Sequence, residues 1–155
     1  MDDFYLALQV VMMPRDANPN ATMHPDGRFT SYTTIFGGVL LSYIDQAGAL
    51  AARREVIRAG GTPPVVVTVA MNRVEFKKPV LVGDVVRFLT RRVRLGRTSI
   101  TIHVCVEAER GMEVLQVTEA EVVYVGIDPH SPERKPKQLL ESPSRGPGSV
   151  SDGVR

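Results

Sequence analysis

Apolar positions follow two rhythms along this chain. In TSITIHVCVEAE (98–109) they alternate, with Ile100, Ile102, Val104 and Val106 on one face and Thr101, His103, Cys105 and Glu107 on the other. That is the period of a strand buried on one side. From Gly37 to about Arg58 they recur three and four apart, at Leu40, Tyr43/Ile44, Ala47 and Ala51, which is the period of a helix. Gly60-Gly61 and Pro63-Pro64 end that helix. Ahead of it, YLALQVVMM (5–13) reads as a short strand stopped by Pro14. Asn18 to Thr34, dense in Asn, Pro, Asp, Gly, Ser and Thr, reads as loop. Behind the helix, VVVTVAMNRVEF (65–76), DVVRFLTRRVRL (84–95) and EVLQVTEAEVVYVGI (113–127) join 98–109 as further strands. Gly96-Arg97 and Arg110-Gly111 sit where hairpin turns belong, and Lys78-Pro79 to Gly83-Asp84 gives another break. The order strand, long helix, four strands predicts an α+β fold, a curved antiparallel sheet wrapped around one helix.

Composition changes after Asp128. SPERKPKQLLESPSRGPGSVSDGVR holds Pro, Ser, Gly and charge with almost nothing to bury, so a disordered tail over 129–155 is expected behind one domain spanning 1–128. At 155 residues and 43% hydrophobic content the chain can build a single real core. A net charge of +2 is too small to imply nucleic acid by itself. One cysteine excludes an intrachain disulfide and a cysteine-based zinc site, and suits a reducing cytoplasm. No apolar run is long enough to span a membrane, and MDD lacks the basic start of a signal peptide.

One residue breaks the helix pattern. Asp45 is the single acid in IFGGVLLSYIDQAGALAARR (35–54), and its helical neighbours Leu41, Ser42, Gly48 and Ala49 include no cation. It sits neither in the first turn, where the dipole favours an acid, nor in an i,i+4 pair with Lys or Arg. Pattern alone leaves a solvent-facing acid and a catalytic one both open. Phe36-Gly37-Gly38 stands where the helix leaves backbone N–H groups free, and glycines there let a ligand carbonyl approach. Gly48 and the alanines beside it keep the acid's surroundings narrow, with room for another chain or a slender ligand. An acid and an oxyanion-type donor set could together activate water and polarise a carbonyl.

MMPRDANPN, IFGGVLLSYIDQAGALAAR, NRVEFKKPVLVGDVV and RLGRTSITI, in that order, make the chain similar to the hotdog-fold acyl-CoA thioesterases over about residues 5 to 127. The resemblance implies one central helix wrapped by an antiparallel sheet, and hydrolysis of a thioester to a free acid and coenzyme A without metal or organic cofactor. It implies homodimers with shared active sites, gathered into a homohexamer as a trimer of dimers. Matched position by position, Asp45 is the helix acid, and Gly38 would offer its N–H to the thioester oxygen. Asn18 and Asn20 lie in the Asn-bearing loop that serves the neighbouring subunit, and Thr34 is the polar position before the FGG segment. Arg97, Thr98, Ser99 and Lys78 fall where coenzyme A is bound. The stretch MHPDGRFTSYTT makes the connection from the Asn loop to FGG longer than the family's, either as a surface extension or as a cover over the acyl group.

Other groups carry weaker signals. Arg91, Arg92, Arg94, Arg97, Lys77 and Lys78 are the densest basic set, a solvated strand face unless phosphates are near. His103 and Cys105 share a strand face roughly 7 Å apart, too far for a thiolate–imidazole pair. His24 and His130 lack a second ligand at metal spacing, and no GxxxxGK or GxGxxG occurs. A hotdog dehydratase would need a catalytic His near the helix, and none lies between 31 and 60. A non-catalytic acyl-CoA binder is the remaining alternative. Low aromatic content argues against a single-strand nucleic-acid module.

Overall fold

The computed structural model describes residues 3–19, 21–31 and 34–140. Its elements are β1 (Tyr5–Val11), β2 (Ala21–Met23), β3 (Phe29–Ser31), α1 (Gly37–Arg58), β4 (Val66–Phe76), β5 (Val85–Leu95), β6 (Ser99–Arg110) and β7 (Glu113–Gly126). Five strands form one sheet in the order β1-β5-β6-β7-β4, every pairing antiparallel. β1 and β4 are its edges, and α1 lies across one face.

Alternation decides which face α1 covers. Ile100, Ile102, Val104 and Val106 are all 0% exposed, while Thr101, His103 and Cys105 point the other way and are half-buried. The helix answers with Leu40, Ile44, Ala47, Ala51 and Val56, all buried. Three of its buried positions are Ala and one is Gly, so its backbone sits close to the sheet. Each fully buried valine or isoleucine contributes roughly 1.5–3 kcal/mol.

Two expectations change. The 18–34 stretch is not plain loop: Ala21–Met23 and Phe29–Ser31 pair as a small antiparallel hairpin. Threonines and a phenylalanine suit paired backbone, and Gly27 at φ +82° closes the turn, with its N–H donated to His24 O. Nor does packing end at Asp128. Ile127 bridges Pro136, Lys137 N–H reaches Gly126 O at 2.8 Å, and Leu139 is 4% exposed within the core cluster. Gly61 and Gly126 make this possible, since a Cβ at either would collide with Leu139. The ordered body therefore runs through at least residue 140, and residues 141–155 lie outside the described residues.

An ion pair fixes the turn before β5. Asp84, 3% exposed, accepts hydrogen bonds from Leu81 N–H at 2.9 Å and from Arg110 Nε and Nη2 at 3.1 and 2.9 Å. Arg110 Nη2 also donates to Pro79 O. The segment carrying Lys78 is thereby tied to the end of β6.

Candidate active site

Three segments meet where α1 begins. Asn18 N–H donates to Thr34 O at 2.8 Å, Ile35 N–H to Val80 O at 2.7 Å and Phe36 N–H to Asp16 O at 2.9 Å. The Asn18 amide also donates to Thr34 Oγ1 at 3.0 Å, so both polar side chains are held in place. Phe36 caps the helix through its backbone, accepting from Val39 N–H at 3.0 Å. Gly37 and Gly38 are then the N–H groups that the helix itself leaves free. A cleft of about 330 Å³ opens here, lined by Asn18, Thr34, Gly37, Leu40, Phe76 and Lys78. Gly38 opens to the other side, into a shallow hollow of about 480 Å³ along the exposed helix face with Phe36, Ser42, Tyr43 and Gln46. The Phe36 ring lines this second hollow, close enough to Gly38 that a Cβ there would stand 2.6 Å from it.

Asp45 is in neither hollow. It lies seven residues beyond Gly38 on the same helix, about 10.5 Å along the axis at 1.5 Å per residue. Its partners come from the sheet: Thr68 Oγ1 donates to Asp45 Oδ1 at 2.6 Å, and the Tyr124 hydroxyl reaches Asp45 O at 2.6 Å and Oδ1 at 3.2 Å. Thr68 and Tyr124 face each other across the β4–β7 ladder, and the register slips just after them, between Thr68 and Ala70. A bulge of this kind is a common way to aim a side chain at a site. Burial first, and then the Asp45 charge, hold the Tyr124 hydroxyl well above the ordinary phenol range, so it stays a donor. Among the described residues Oδ2 of Asp45 has no hydrogen-bond partner, and it is the oxygen left to take a proton. The open space expected around Gly48 is filled from inside: a Cβ there would run into the Tyr124 hydroxyl.

The expected site residues thus fall into two groups within one chain. Asn18, Thr34 and Lys78 share the cleft at the helix start, with Gly38 adjacent. Asn20 lies outside the described residues. Arg97, Thr98 and Ser99 form the turn into β6, where Thr98 O accepts from Gly126 N–H at 2.8 Å and Arg97 O from Leu139 N–H at 3.0 Å. Their strand neighbours include Tyr124, which pairs with Ile100, so this turn is at the Asp45 end of the sheet. Lys78 precedes β5 and Arg97 follows it; the strand between them is eleven residues long, roughly 33 Å from end to end. One chain therefore does not bring the Asn18 group and the Asp45 group around a single thioester.

Sequence reasoning missed Thr68 and Tyr124. The signal that could have found Tyr124 is its place on the inward face of a strand, because a buried tyrosine hydroxyl needs a partner. The other candidates behave as the weaker signals suggested. Cys105 is half-buried and sits 3.5 Å from the Gln116 amide, and burial and the Glu107 charge push its thiol up, away from a reactive thiolate. His103 Nε2 stands 3.6 Å from Glu119, on the sheet face away from α1.

Known proteins resemble this chain in sequence and fold. The thioesterase superfamily matches residues 32–115. The acyl-CoA thioester hydrolase YciA of Salmonella typhimurium is 36% identical over 139 residues, covering 86% of this chain and 89% of that protein. Among solved structures, a hexameric thioesterase from Yersinia pestis superposes with a TM-score of 0.71 at 35% identity, over 91% of this chain and 99% of that one. A hexameric hotdog-fold thioesterase of Campylobacter jejuni gives 0.65 at 36% identity, over 88% and 90%. A five-stranded antiparallel sheet on one long helix is the hotdog fold, and this chain belongs to the acyl-CoA thioester hydrolases of the thioesterase superfamily.

Proposed function

We propose that the protein hydrolyses acyl-CoA to a free carboxylic acid and coenzyme A in a site built from two subunits. The observation that carries the reading is Asp45, with Oδ1 loaded by a hydroxyl from the sheet and Oδ2 open. A water hydrogen-bonded to Oδ2 gives up its proton to the carboxylate as its oxygen attacks the thioester carbonyl. The oxyanion formed there is met by the Gly38 N–H of the partner subunit at the start of that subunit's helix. Collapse breaks the carbon–sulfur bond, and Asp45 returns the proton to the leaving thiolate. Asn18 and Asn20, with Thr34, order the thioester from the partner's side. Arg97, Thr98 and Ser99 from the Asp45 side, with Lys78 of the partner subunit from the Asn18 side, hold the nucleotide phosphates of coenzyme A.

The two-subunit site is supported by the roughly 10.5 Å between Gly38 and Asp45 along one helix, which no single thioester bridges. It is also supported by β4, an eleven-residue edge strand with Val69 56% exposed next to Thr68 and Phe76 52% exposed at its far end. In this reading a second copy meets that edge to form the homodimer, and three dimers form a homohexamer; the Yersinia and Campylobacter proteins are hexameric. Among the described residues no helix is long and apolar enough to cross a membrane. A lone cysteine kept as a thiol fits the cytoplasm.

The test is release of free thiol from acyl-CoA, followed with a thiol-reactive dye over acyl chains of graded length. Turnover on at least part of the series is expected. Binding without thiol release on every member would contradict the reading.

A further inference from the structure

Tyr124 stands 1% exposed on the inner face of β7, with its ring in the core and its hydroxyl on the helix. Core packing explains the ring and not the hydroxyl. Phenylalanine would fill the same volume, and the Asp45 carbonyl that the hydroxyl meets belongs to a mid-helix residue whose oxygen the helix ladder already serves. The hydroxyl bond is additional to the fold's needs.

Gly48 points the same way. A glycine in a helix interior is disfavoured against alanine, and this one is buried within α1. The atoms that a Cβ would meet are the Tyr124 hydroxyl and the ring carbons next to it, at 3.0 Å for Cε2 and Cζ. Position 48 is therefore kept bare for the hydroxyl. The hydroxyl in turn lies 2.6 Å from Asp45 O and 3.2 Å from Asp45 Oδ1, the oxygen that Thr68 also holds. We propose that Tyr124 is a positioning residue for Asp45, its hydroxyl seated in the gap left by Gly48. It pins the residue's backbone and carboxylate together, so that Oδ1 faces the sheet and Oδ2 is left to handle the proton. Burial and the Asp45 charge push the hydroxyl well above the ordinary phenol range, which suits it to act as a fixed donor.

This inference rests on the thioesterase reading, and its test separates the two. Tyr124→Phe is compared with the parent on the acyl-CoA that the parent hydrolyses fastest, in the Asp45 background and in an Asp45→Asn background. Loss of alignment lowers kcat on the order of tenfold with KM within about twofold, because substrate binding is untouched and geometry at the reacting centre is not. With Asp45→Asn already in place, the same change costs little further activity, as expected of two residues acting through one group. Gly48→Ala, which crowds the hydroxyl without removing it, lowers kcat in the same way. A folded Tyr124→Phe enzyme with parental kcat overturns the proposal, and so does an equal loss in both backgrounds. A crystal structure of Tyr124→Phe reads the claim without turnover: Asp45 in more than one side-chain conformation supports it, and one unchanged conformation overturns it. A parent that hydrolyses no acyl-CoA would refute the function instead, while that crystallographic result still decides the role of Tyr124.

Discussion

If each site takes Asp45 from one subunit and the Asn18 group from the other, two inactive proteins should restore each other. The perturbations are Asp45→Asn in one chain and Asn18→Ala with Asn20→Ala in the second. Each alone damages every site, because each removes one half of it. In a mixed dimer, one site collects all the damage and the other collects none. Random reassembly of equal amounts puts about half of the dimers in the mixed form, with one working site of two, so about a quarter of parental activity returns if sites act independently. The structure sets this arithmetic through the axial separation of Gly38 and Asp45, seven residues along α1, about 10.5 Å. The assay is thiol release after the two proteins are unfolded and refolded together, or after co-expression with two tags and purification of the mixed species. Purified mixed dimers as inactive as either parent would place the whole site in one chain and refute the reasoning.

Two further outcomes follow from particular contacts. Arg97→Ala should raise KM for acyl-CoA and leave hydrolysis of a short thioester without the nucleotide nearly unchanged, because a phosphate contact far from the reacting carbon contributes mostly uniform binding; equal losses on both substrates would show that Arg97 supports the β6 turn. Leu139→Ala should destabilise the protein by about 2–4 kcal/mol, the cost of a buried leucine truncation, seen as a lower melting temperature; an unchanged temperature would mean that the segment after Asp128 contributes nothing to the body.

The fold was legible because its two periods are clean. Ile100, Ile102, Val104 and Val106 declare a buried face by alternation alone, and the 3–4 spacing of Leu40, Ile44, Ala47 and Ala51 declares the helix laid on it. Asp45 was legible as an acid with no cation within one helical turn. Its true partners were not, because Thr68 and Tyr124 reach it only through the pairing of β4 with β7 and the height of α1 above that rung. Neither distance is encoded in local spacing. The packing of 129–140 was hidden for a different reason: averaged over 129–155 the composition looks like disorder, which hides the pair Leu139-Leu140 and the two glycines, Gly61 and Gly126, that receive Leu139. The 18–34 hairpin was hidden in the same way, its three-residue strands being too short for a period to show against the surrounding Pro, Asp and Gly.

The proposed hydrolysis turns on Asp45 being the base. Replacing it with asparagine keeps its size, its helix and an oxygen to accept the Thr68 and Tyr124 hydroxyls, and removes only the capacity to take a proton. The decisive measurement is kcat of Asp45→Asn on acyl-CoA beside its melting temperature. A fall of roughly 10²-fold or more, the scale of one general base, with a near-parental melting temperature is the predicted result. Turnover within a factor of a few of the parent would contradict it.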